Sequence, residues 1–96
     1  MKNRLNFTLK PENLVVELLN TAEHYYEQGS YELATSYYTQ VIALEPTQAN
    51  LTYALYMRGM AHYECGEHAD ALIDWQQAQD LGFEHPWGID LMELIK

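Results

Sequence analysis

Residues 59–78 read GMAHYECGEHADALIDWQQA, and this stretch decides the fold of the 96-residue chain. Small and aromatic residues recur in it at helical spacing on either side of Gly66, which predicts the end of one helix, a tight turn and a second helix. The same pattern occurs earlier in the chain. Seven positions precede their counterparts by 37 residues each: Ala22, Tyr25, Gly29, Tyr31, Ala34, Tyr38 and Val41 precede Gly59, His62, Gly66, His68, Ala71, Trp75 and Ala78. The chain therefore contains an internal repeat of a helical hairpin.

The second helix of each hairpin carries a small residue and, one turn later, a large aromatic one. Ala34 and Ala71 are small enough to let a neighbouring helix approach to about 8–10 Å. Tyr38 and Trp75 then fill the wedge where the paired helices diverge. These four positions are the predicted centre of the core.

The predicted fold class is all-α, with helices over 11–28, 31–44, 47–65, 67–81 and 86–95. Gly29 and Gly66 place the hairpin turns at 29–30 and 66–67, because glycine adopts the left-handed conformation without steric cost. Pro46 ends the second helix. One domain, 1–96, then consists of an N-terminal arm (1–10), a first hairpin unit (11–46), a second hairpin unit (47–82) and a C-terminal capping or dimerisation helix (86–96).

The arm alternates apolar and polar residues, with Leu5, Phe7 and Leu9 on one side. This alternation predicts either a short extended segment laid against a helix face or a frayed terminus, and partial order is the favoured interpretation.

Both hairpins resemble the tetratricopeptide repeat, whose signature is a small residue early in the first helix, an aromatic residue three positions on, and then glycine, alanine and an aromatic residue. The resemblance covers about residues 14–82. It implies antiparallel helical hairpins stacked as a short solenoid with a concave groove that holds peptides. Three features depart from the family: Thr21-Ala22 replaces the usual Leu-Gly, His62 and His68 stand at aromatic places, and the repeat spacing of 37 exceeds the family's period of about 34. The extra residues predict nearly one added turn at the start of the third helix, with Thr47 as its N-cap.

The charge of the chain excludes several classes of partner. There are 14 acidic and 5 basic residues, and Arg58 is the only Lys or Arg between residues 11 and 95. Nucleic-acid phosphates and anionic lipids need clustered Lys and Arg, so we expect neither nucleic acid nor membrane as a partner. No apolar run approaches the ~20 residues of a membrane span, and Met1–Lys10 lacks the apolar stretch of a secretory signal. The sequence therefore predicts a cytoplasmic protein.

No group of catalytic or metal-binding residues stands out. His62 and Cys65 lie three apart on one helix, with Glu64 and His68 nearby, and such side chains can bind a soft metal ion. Both histidines occupy aromatic core places of the repeat, so we predict no metal, no cofactor and no catalytic residue. The three adjacent glutamate–histidine pairs point about 100° apart on a helix and do not form an acid–base dyad. An enzyme is not expected.

The resemblance assigns a peptide-binding groove to one side of the first helix of each hairpin. In this sequence that side carries nine residues: Leu19, Glu23, Tyr26, Glu27, Tyr53, Tyr56, Met60, Tyr63 and Glu64. Members of the family that bind chaperone tails hold the peptide carboxylate with Lys, Arg and Asn, whereas this side offers carboxylates. The implied partner is therefore a basic or apolar protein segment. The alternative is that the arm or another subunit covers part of this side.

The C-terminal residues favour self-association as a second possibility. Two repeats are fewer than the three or more that usually bury a continuous core. In a helix over 87–96, six apolar residues cover an arc of about 220°: Trp87, Ile89, Leu91, Met92, Leu94 and Ile95. A helix that only capped the last hairpin would need a narrower apolar stripe. A symmetric dimer through these residues would bury the surplus, although the arm could cover it in a monomer.

These observations favour a protein-interaction module that binds a basic or apolar protein segment in the groove. The alternative is a structural protein that self-assembles as a homodimer through the C-terminal helix. The excess of acidic residues either selects the partner or only keeps a small protein in solution.

Overall fold

The computed structural model describes residues 11–95 and places four α-helices in them. They are α1 (Pro11–Glu27), α2 (Tyr31–Ala43), α3 (Gln48–Glu64) and α4 (His68–Asp80), followed by a 3₁₀ helix, Leu91–Ile95. This part of the chain is 76% helical and contains no strand. The all-α prediction is confirmed, and the arm predicted at 1–10 lies outside the described residues.

The helices form two hairpins that stack on each other. α1 packs along α2, α3 packs along α4, and α2 packs against α3. Because each helix reverses direction after a short connection, α1 and α3 run the same way, and they also touch each other. α1 and α3 therefore share one side of the stack, as expected from the resemblance to stacked helical hairpins.

Two hydrophobic clusters form the core. The first lies between α1, α2 and α3 and contains Ala34 and Tyr38, which are fully buried. The second lies between α3 and α4 and contains Ala71 and Trp75, also fully buried. The prediction that a small residue and an aromatic residue form the centre of each repeat is confirmed.

The hairpin turns and helix ends agree with the sequence pattern. Gly29 and Gly66 have φ of +81° and +78°, in the left-handed region that favours glycine. In both turns the backbone N–H of the residue after the glycine donates to the carbonyl five residues earlier, at 2.8 Å. The Thr47 hydroxyl accepts a hydrogen bond from the backbone N–H of Asn50 at 3.3 Å, so Thr47 is the N-cap of α3.

The prediction of a continuous helix over 86–95 is wrong. Gly88 has φ of +72°, which takes the chain out of the right-handed helical path. The Asp90 carboxylate accepts a hydrogen bond from the backbone N–H of Met92 at 3.0 Å, and only a short 3₁₀ helix, Leu91–Ile95, follows. The segment therefore adopts a turn, a second turn and one short helix, because local side-chain and glycine geometry interrupts the periodic pattern.

This outcome removes the continuous apolar arc that was assigned to a dimer. Leu91 is 2% exposed and packs in the second core cluster, with Met92 against the same cluster. Three other residues of the predicted interface are exposed: Trp87, Ile89 and Leu94. The side chain of Ile95 lies outside the described part of the chain. The argument from a helical arc is thus wrong, whereas self-association itself stays a prediction.

Candidate protein-binding site

The candidate site is the side that α1 and α3 share, which we call the α1/α3 face. It contains residues from both helices: Glu23, Tyr26 and Glu27 on α1, and Tyr53, Tyr56, Met60, Tyr63 and Glu64 on α3. The hydroxyl of Tyr53 donates a hydrogen bond to the carboxylate of Glu23 across the two helices. Glu23 and Glu27 stand one turn apart on α1 and so lie on the same side of that helix. An aromatic ring from one helix and a carboxylate from the other therefore meet on this face.

Tyr26 is the last residue but one of α1 and is half-buried. Its ring contacts that of Tyr31 edge to face, with centroids 5.2 Å apart. Burial, followed by the negative charge of Glu64 on α3 and by Tyr31 and Tyr56, raises the pKa of Tyr26 to about 12. The Tyr26 hydroxyl is therefore neutral at physiological pH and lies within electrostatic reach of both helices.

The residues beneath the face are apolar or aromatic and buried. Leu19, predicted in the groove, is 8% exposed and belongs to the first core cluster, where it supports the face from below. The Tyr38 hydroxyl is buried without a hydrogen-bond partner among the described residues. Burial, followed by the charge of Glu23, raises the pKa of Tyr38. This tyrosine hydroxyl therefore lies close enough to the face to interact electrostatically with its carboxylates.

The α3 half of the face is partly covered by the chain itself. The ring of Tyr56 stacks on Phe83 with centroids 4.6 Å apart, and Tyr63 stacks on His68 at 5.3 Å. Tyr56, Tyr63 and Met60 all pack against the second core cluster. Tyr26 and Tyr53 likewise pack against the first core cluster. Among the predicted groove residues, Glu27 and Glu64 are therefore the exposed ones, whereas Glu23 and the four tyrosines are half-buried.

Val16 belongs to the same side of α1 and was not identified from the sequence. It is 50% exposed, a high value for a valine in the first half of a packed helix. It precedes Glu23 by seven residues and Glu27 by eleven, which are about two and three helical turns, so all three residues lie on one side of α1. That spacing is the signal that could have identified it.

A buried ion pair holds α2, α3 and α4 together beside the face. Arg58 donates to both carboxylate oxygens of Asp74, at 2.8 and 2.7 Å, and to the Thr39 hydroxyl at 3.1 Å. The Asp74 side chain is 3% exposed. His62 lies between this pair and the α3–α4 turn, with its Nδ1 2.7 Å from the Glu67 carboxylate. Between residues 11 and 95 the only Lys or Arg is thus engaged in an internal pair, and the surface there offers mainly carboxylates.

The side chains that were considered as metal ligands separate in the structure. Cys65 is exposed, and His68 stacks on an aromatic ring. His62, Glu67 and Asp70 do place one donor atom each within 4.8 Å of one another. Both carboxylates are exposed and His62 is already hydrogen-bonded to Glu67, so this group is explained as a hydrogen bond at a helix start.

Two clefts lie away from the α1/α3 face. An apolar cleft of about 350 Å³ separates the ends of α2 and α4 from the start of α3, and its lining includes Ile42, Leu51, Leu55 and Leu81. A second cleft of about 420 Å³ lies under the C-terminal segment and is lined by residues that include Phe83, His85, Ile89 and Leu91. Neither contains a residue of the predicted groove.

Comparison with known protein families identifies the family of the chain. The model of the family described as "YfiO: Outer membrane lipoprotein" matches residues 8–82. Neither a curated protein nor a solved structure matches the chain. None of the helices in residues 11–95 combines the length and apolar character needed to cross a membrane.

The family match supports part of the sequence interpretation and corrects another part. It supports a tetratricopeptide-like helical repeat that acts, at this coarse level, as a non-enzymatic protein-interaction scaffold. The predicted cytoplasmic location is wrong, because the family is one of outer membrane lipoproteins, which points to a periplasmic or membrane-associated setting. The match extends over most of the 96 residues. The chain belongs to the YfiO family of outer membrane lipoproteins.

Proposed function

We propose that the α1/α3 face binds a short protein segment that is basic and partly apolar. The observation that carries the proposal is the hydrogen bond from Tyr53 on α3 to Glu23 on α1, because it joins an aromatic ring of the second hairpin to a carboxylate of the first. The family match supports a protein partner. The basic and apolar character of the segment is inferred from the side chains of the face.

The charges of the molecule favour a cation at this face. Glu27 and Glu64 are exposed, and Glu23 is half-buried beside Tyr53. Arg58, the single Lys or Arg within residues 11–95, is bound to Asp74 and does not neutralise them. A Lys or Arg of a partner would therefore meet carboxylates without having to displace a cation of the described residues.

The rings supply most of the expected affinity. A Lys or Arg held over a tyrosine ring gains about 0.5–2 kcal/mol. An exposed ion pair adds only about 0–1 kcal/mol, so the carboxylates select the partner and accelerate encounter more than they tighten the complex. With so small a face we expect micromolar dissociation constants for a single peptide.

The test uses a synthetic peptide of about ten residues that alternates Lys or Arg with Leu or Phe, and a matched peptide in which Glu replaces each basic residue. Fluorescence anisotropy of the dye-labelled peptides reports binding to the full chain. We expect binding of the basic peptide and none of the acidic one. Glu27→Lys should weaken binding several-fold at low salt and much less at high salt, because screening removes the interaction of exposed charges.

Asp80→Lys is the matched control, because Asp80 is also an exposed acidic residue but lies beside the apolar cleft. It changes the net charge by the same amount as Glu27→Lys and leaves the α1/α3 face intact. If the two variants weaken binding equally, the peptide responds to overall charge and the face is not the site. If the acidic peptide binds as well as the basic one, the proposed chemistry of the partner is wrong.

A further inference from the structure

We infer that the apolar cleft between α2, α3 and α4 is a second protein-binding site, and that it takes a partner segment in which one or two aliphatic side chains are flanked by Lys or Arg. The cleft has a volume of about 350 Å³ and shares no lining residue with the α1/α3 face. The inference therefore does not rest on the function proposed for that face. It makes the chain a scaffold with two separate contact surfaces.

The walls of the cleft are aliphatic and contain no aromatic ring. They consist of six residues: Ile42, Leu51, Leu55, Gln77, Asp80 and Leu81. Leu55 is buried, whereas Ile42, Leu51 and Leu81 are half-buried and keep part of their apolar surface open. The volume lies at the low end of the range of about 300–1,000 Å³ that is usual for ligand sites. The cleft therefore holds one or two aliphatic side chains of a partner.

Hydrogen bonds fix the cleft in its open shape. The side-chain amide of Gln48, the first residue of α3, donates to the carbonyl of Leu81 after α4 at 2.8 Å. This bond sets the distance between the start of one helix and the end of the other. The side-chain amide of Gln76 donates to Oδ1 of Asp80 at 3.1 Å, which orients that carboxylate. Because the site is preformed, a ligand binds with little reorganisation of the chain.

α2 and α4 both end at the cleft without a neutralising cation. The carbonyl end of a helix carries a partial negative charge, which a basic residue in the last turn compensates. α1 and α3 have a histidine in their last turn, whereas α2 and α4 have no basic residue there. Ile42 is the second-last residue of α2 and Asp80 is the last residue of α4, and both line the cleft. The cleft thus receives the negative ends of two helices.

Two carboxylates strengthen this negative field. Asp80 is exposed at the end of α4. Glu45 is exposed two residues after the end of α2, and its backbone N–H donates to the Ile42 carbonyl at 3.2 Å. Arg58 is bound to Asp74 and does not neutralise them. An acidic residue at the carbonyl end of a helix opposes helix stability, so a bound cation would relieve an unfavourable interaction at both ends.

A partner segment with Leu or Ile next to Lys or Arg matches both properties of the cleft. Its aliphatic side chains enter the apolar walls, and the long basic side chains lay their stems along the rim and carry their charges to the carboxylates. A second copy of the chain fits less well. Within residues 11–95 its one Lys or Arg is held in an internal ion pair, so the described part of a second copy has no such cation to offer.

The methyl groups of the lining residues report binding in the full chain. NMR spectra of a methyl-labelled chain are recorded during titration with the acetylated and amidated peptide Lys-Leu-Leu-Lys. We expect four residues to shift, with a dissociation constant between about 0.1 and 10 mM because few side chains are buried: Ile42, Leu51, Leu55 and Leu81. Leu33, which is exposed near the start of α2, should not shift.

Two matched peptides test the two parts of the proposed chemistry. Glu-Leu-Leu-Glu keeps the aliphatic pair and reverses the charge, and Lys-Ser-Ser-Lys keeps the charge and removes the aliphatic pair. We expect neither to shift the methyl signals of the cleft. If either shifts them as strongly as Lys-Leu-Leu-Lys, or if Lys-Leu-Leu-Lys leaves them unchanged, the inference is wrong.

Variants without added bulk test the carboxylates. Glu45→Gln with Asp80→Asn should weaken binding about three- to tenfold at low salt and less at high salt, because an exposed ion pair contributes at most about fivefold. The matched control, Glu17→Gln with Glu84→Gln, changes the net charge equally at exposed positions outside the cleft and should bind like the unchanged chain. Equal loss in both variants would show that overall charge attracts the peptide, and would overturn a specific contact.

Filling the cleft tests its apolar part. Gln77 is exposed and lines the cleft, so Gln77→Phe should occupy part of its volume and weaken binding several-fold. Gln79→Phe is the matched control, because Gln79 is also exposed on α4 but lines the cleft under the C-terminal segment. Circular dichroism verifies that both variants fold. If Gln77→Phe binds as tightly as Gln79→Phe, the aliphatic side chains of the peptide lie elsewhere and the inference fails.

Signals resolved by site separate this inference from the proposed function. The rings of Tyr26 and Tyr53 report on the α1/α3 face. If the longer basic peptide leaves these rings unchanged while Lys-Leu-Leu-Lys shifts the cleft methyl groups, the proposed function fails and the second site stands. The opposite pattern would leave the proposed function standing and refute the second site. Cleft signals that change on dilution of the chain alone would show that a second copy occupies the cleft, and would overturn the assignment of a partner segment.

Discussion

Gly59 on α3 lies so close to the ring of Trp75 on α4 that a methyl group does not fit between them. A Cβ added at Gly59 would be 2.5 Å from Cδ1 of Trp75 and closer still to its Nε1. The ring cannot move aside easily, because Trp75 is fully buried and its Nε1 donates to the Tyr56 carbonyl at 3.3 Å. Gly59→Ala must therefore displace a packed side chain or a helix.

The size of the effect follows from three contributions. Overpacking of a well-packed core costs about 1–3 kcal/mol. Loss of the Trp75 hydrogen bond adds about 0.5–1.5 kcal/mol. Alanine is better than glycine inside a helix by about 1 kcal/mol, which offsets part of this cost. We expect Gly59→Ala to lower the free energy of unfolding by about 1–3 kcal/mol, and Tm by about 4–8 °C for each kcal/mol.

The first repeat supplies the control. Ala22 and Tyr38 stand 37 residues before Gly59 and Trp75, and both are fully buried in the first core cluster. In the first repeat alanine is paired with the smaller tyrosine ring, and in the second repeat glycine is paired with the larger tryptophan ring. Gly59→Ala combined with Trp75→Tyr recreates the first pair, so the double variant should be more stable than the sum of the single effects predicts.

Urea unfolding followed by circular dichroism measures all four chains, with equal m-values as the condition for comparing them. A coupling of at least about 1 kcal/mol in favour of the double variant is the expected result. If Gly59→Ala is as stable as the unchanged chain, or if the two changes add within about 0.5 kcal/mol, the close approach of α3 and α4 at this point is not as described.

Three further measurements test other parts of the structure. Asp74→Ala should lower the free energy of unfolding by about 3 kcal/mol in urea, because it leaves Arg58 partly buried without its partner, and Arg58→Met with Asp74→Leu should recover much of the loss. The pKa of Tyr26 is about 12 in the folded protein against 10.0 ordinarily, so the folded state keeps this proton to higher pH. The contribution of Tyr26 to the free energy of unfolding should then be constant below about pH 10 and fall between about pH 10 and 12. The loss of stability over that range should therefore be smaller in Tyr26→Phe, as followed by urea unfolding at each pH. Burial and then the Glu67 carboxylate raise the pKa of the Cys65 thiol, so iodoacetamide at pH 8 should alkylate it more slowly than free cysteine, and faster in Glu67→Gln.

The repeat, its turns and its helix starts could be predicted because they depend on local properties of the chain. Helical spacing records which side of a helix is buried, and Gly29 and Gly66 supply the positive φ of each turn at positions 37 residues apart. Thr47 caps α3 through the N–H of a residue three positions later. Cellular location had no such local signal, since an acidic surface and a helical core suit more than one compartment, and the family match was needed to correct it.

The C-terminal segment shows where helical spacing was misleading. The apolar residues after position 86 have the spacing of a helix, yet Gly88 adopts positive φ and Asp90 bonds the backbone two residues on. Leu91 then finds a buried place against Trp75, which the short 3₁₀ helix provides. Local turn geometry and the packing of Leu91 against α4 therefore prevent the helix that the spacing of these residues predicts.

The sequence by itself determined that two hairpins form, because residue spacing within each helix shows which positions are buried, and it predicted which side of α1 and α3 faces outward. Only the tertiary structure decided which of those outward residues remain open: Leu19 became core, and Tyr56 became covered by Phe83. The pairing of Arg58 with Asp74 was likewise invisible, since the two are sixteen residues apart on different helices. Their pairing depends on the distance between α3 and α4, and residue spacing along the chain does not determine that distance.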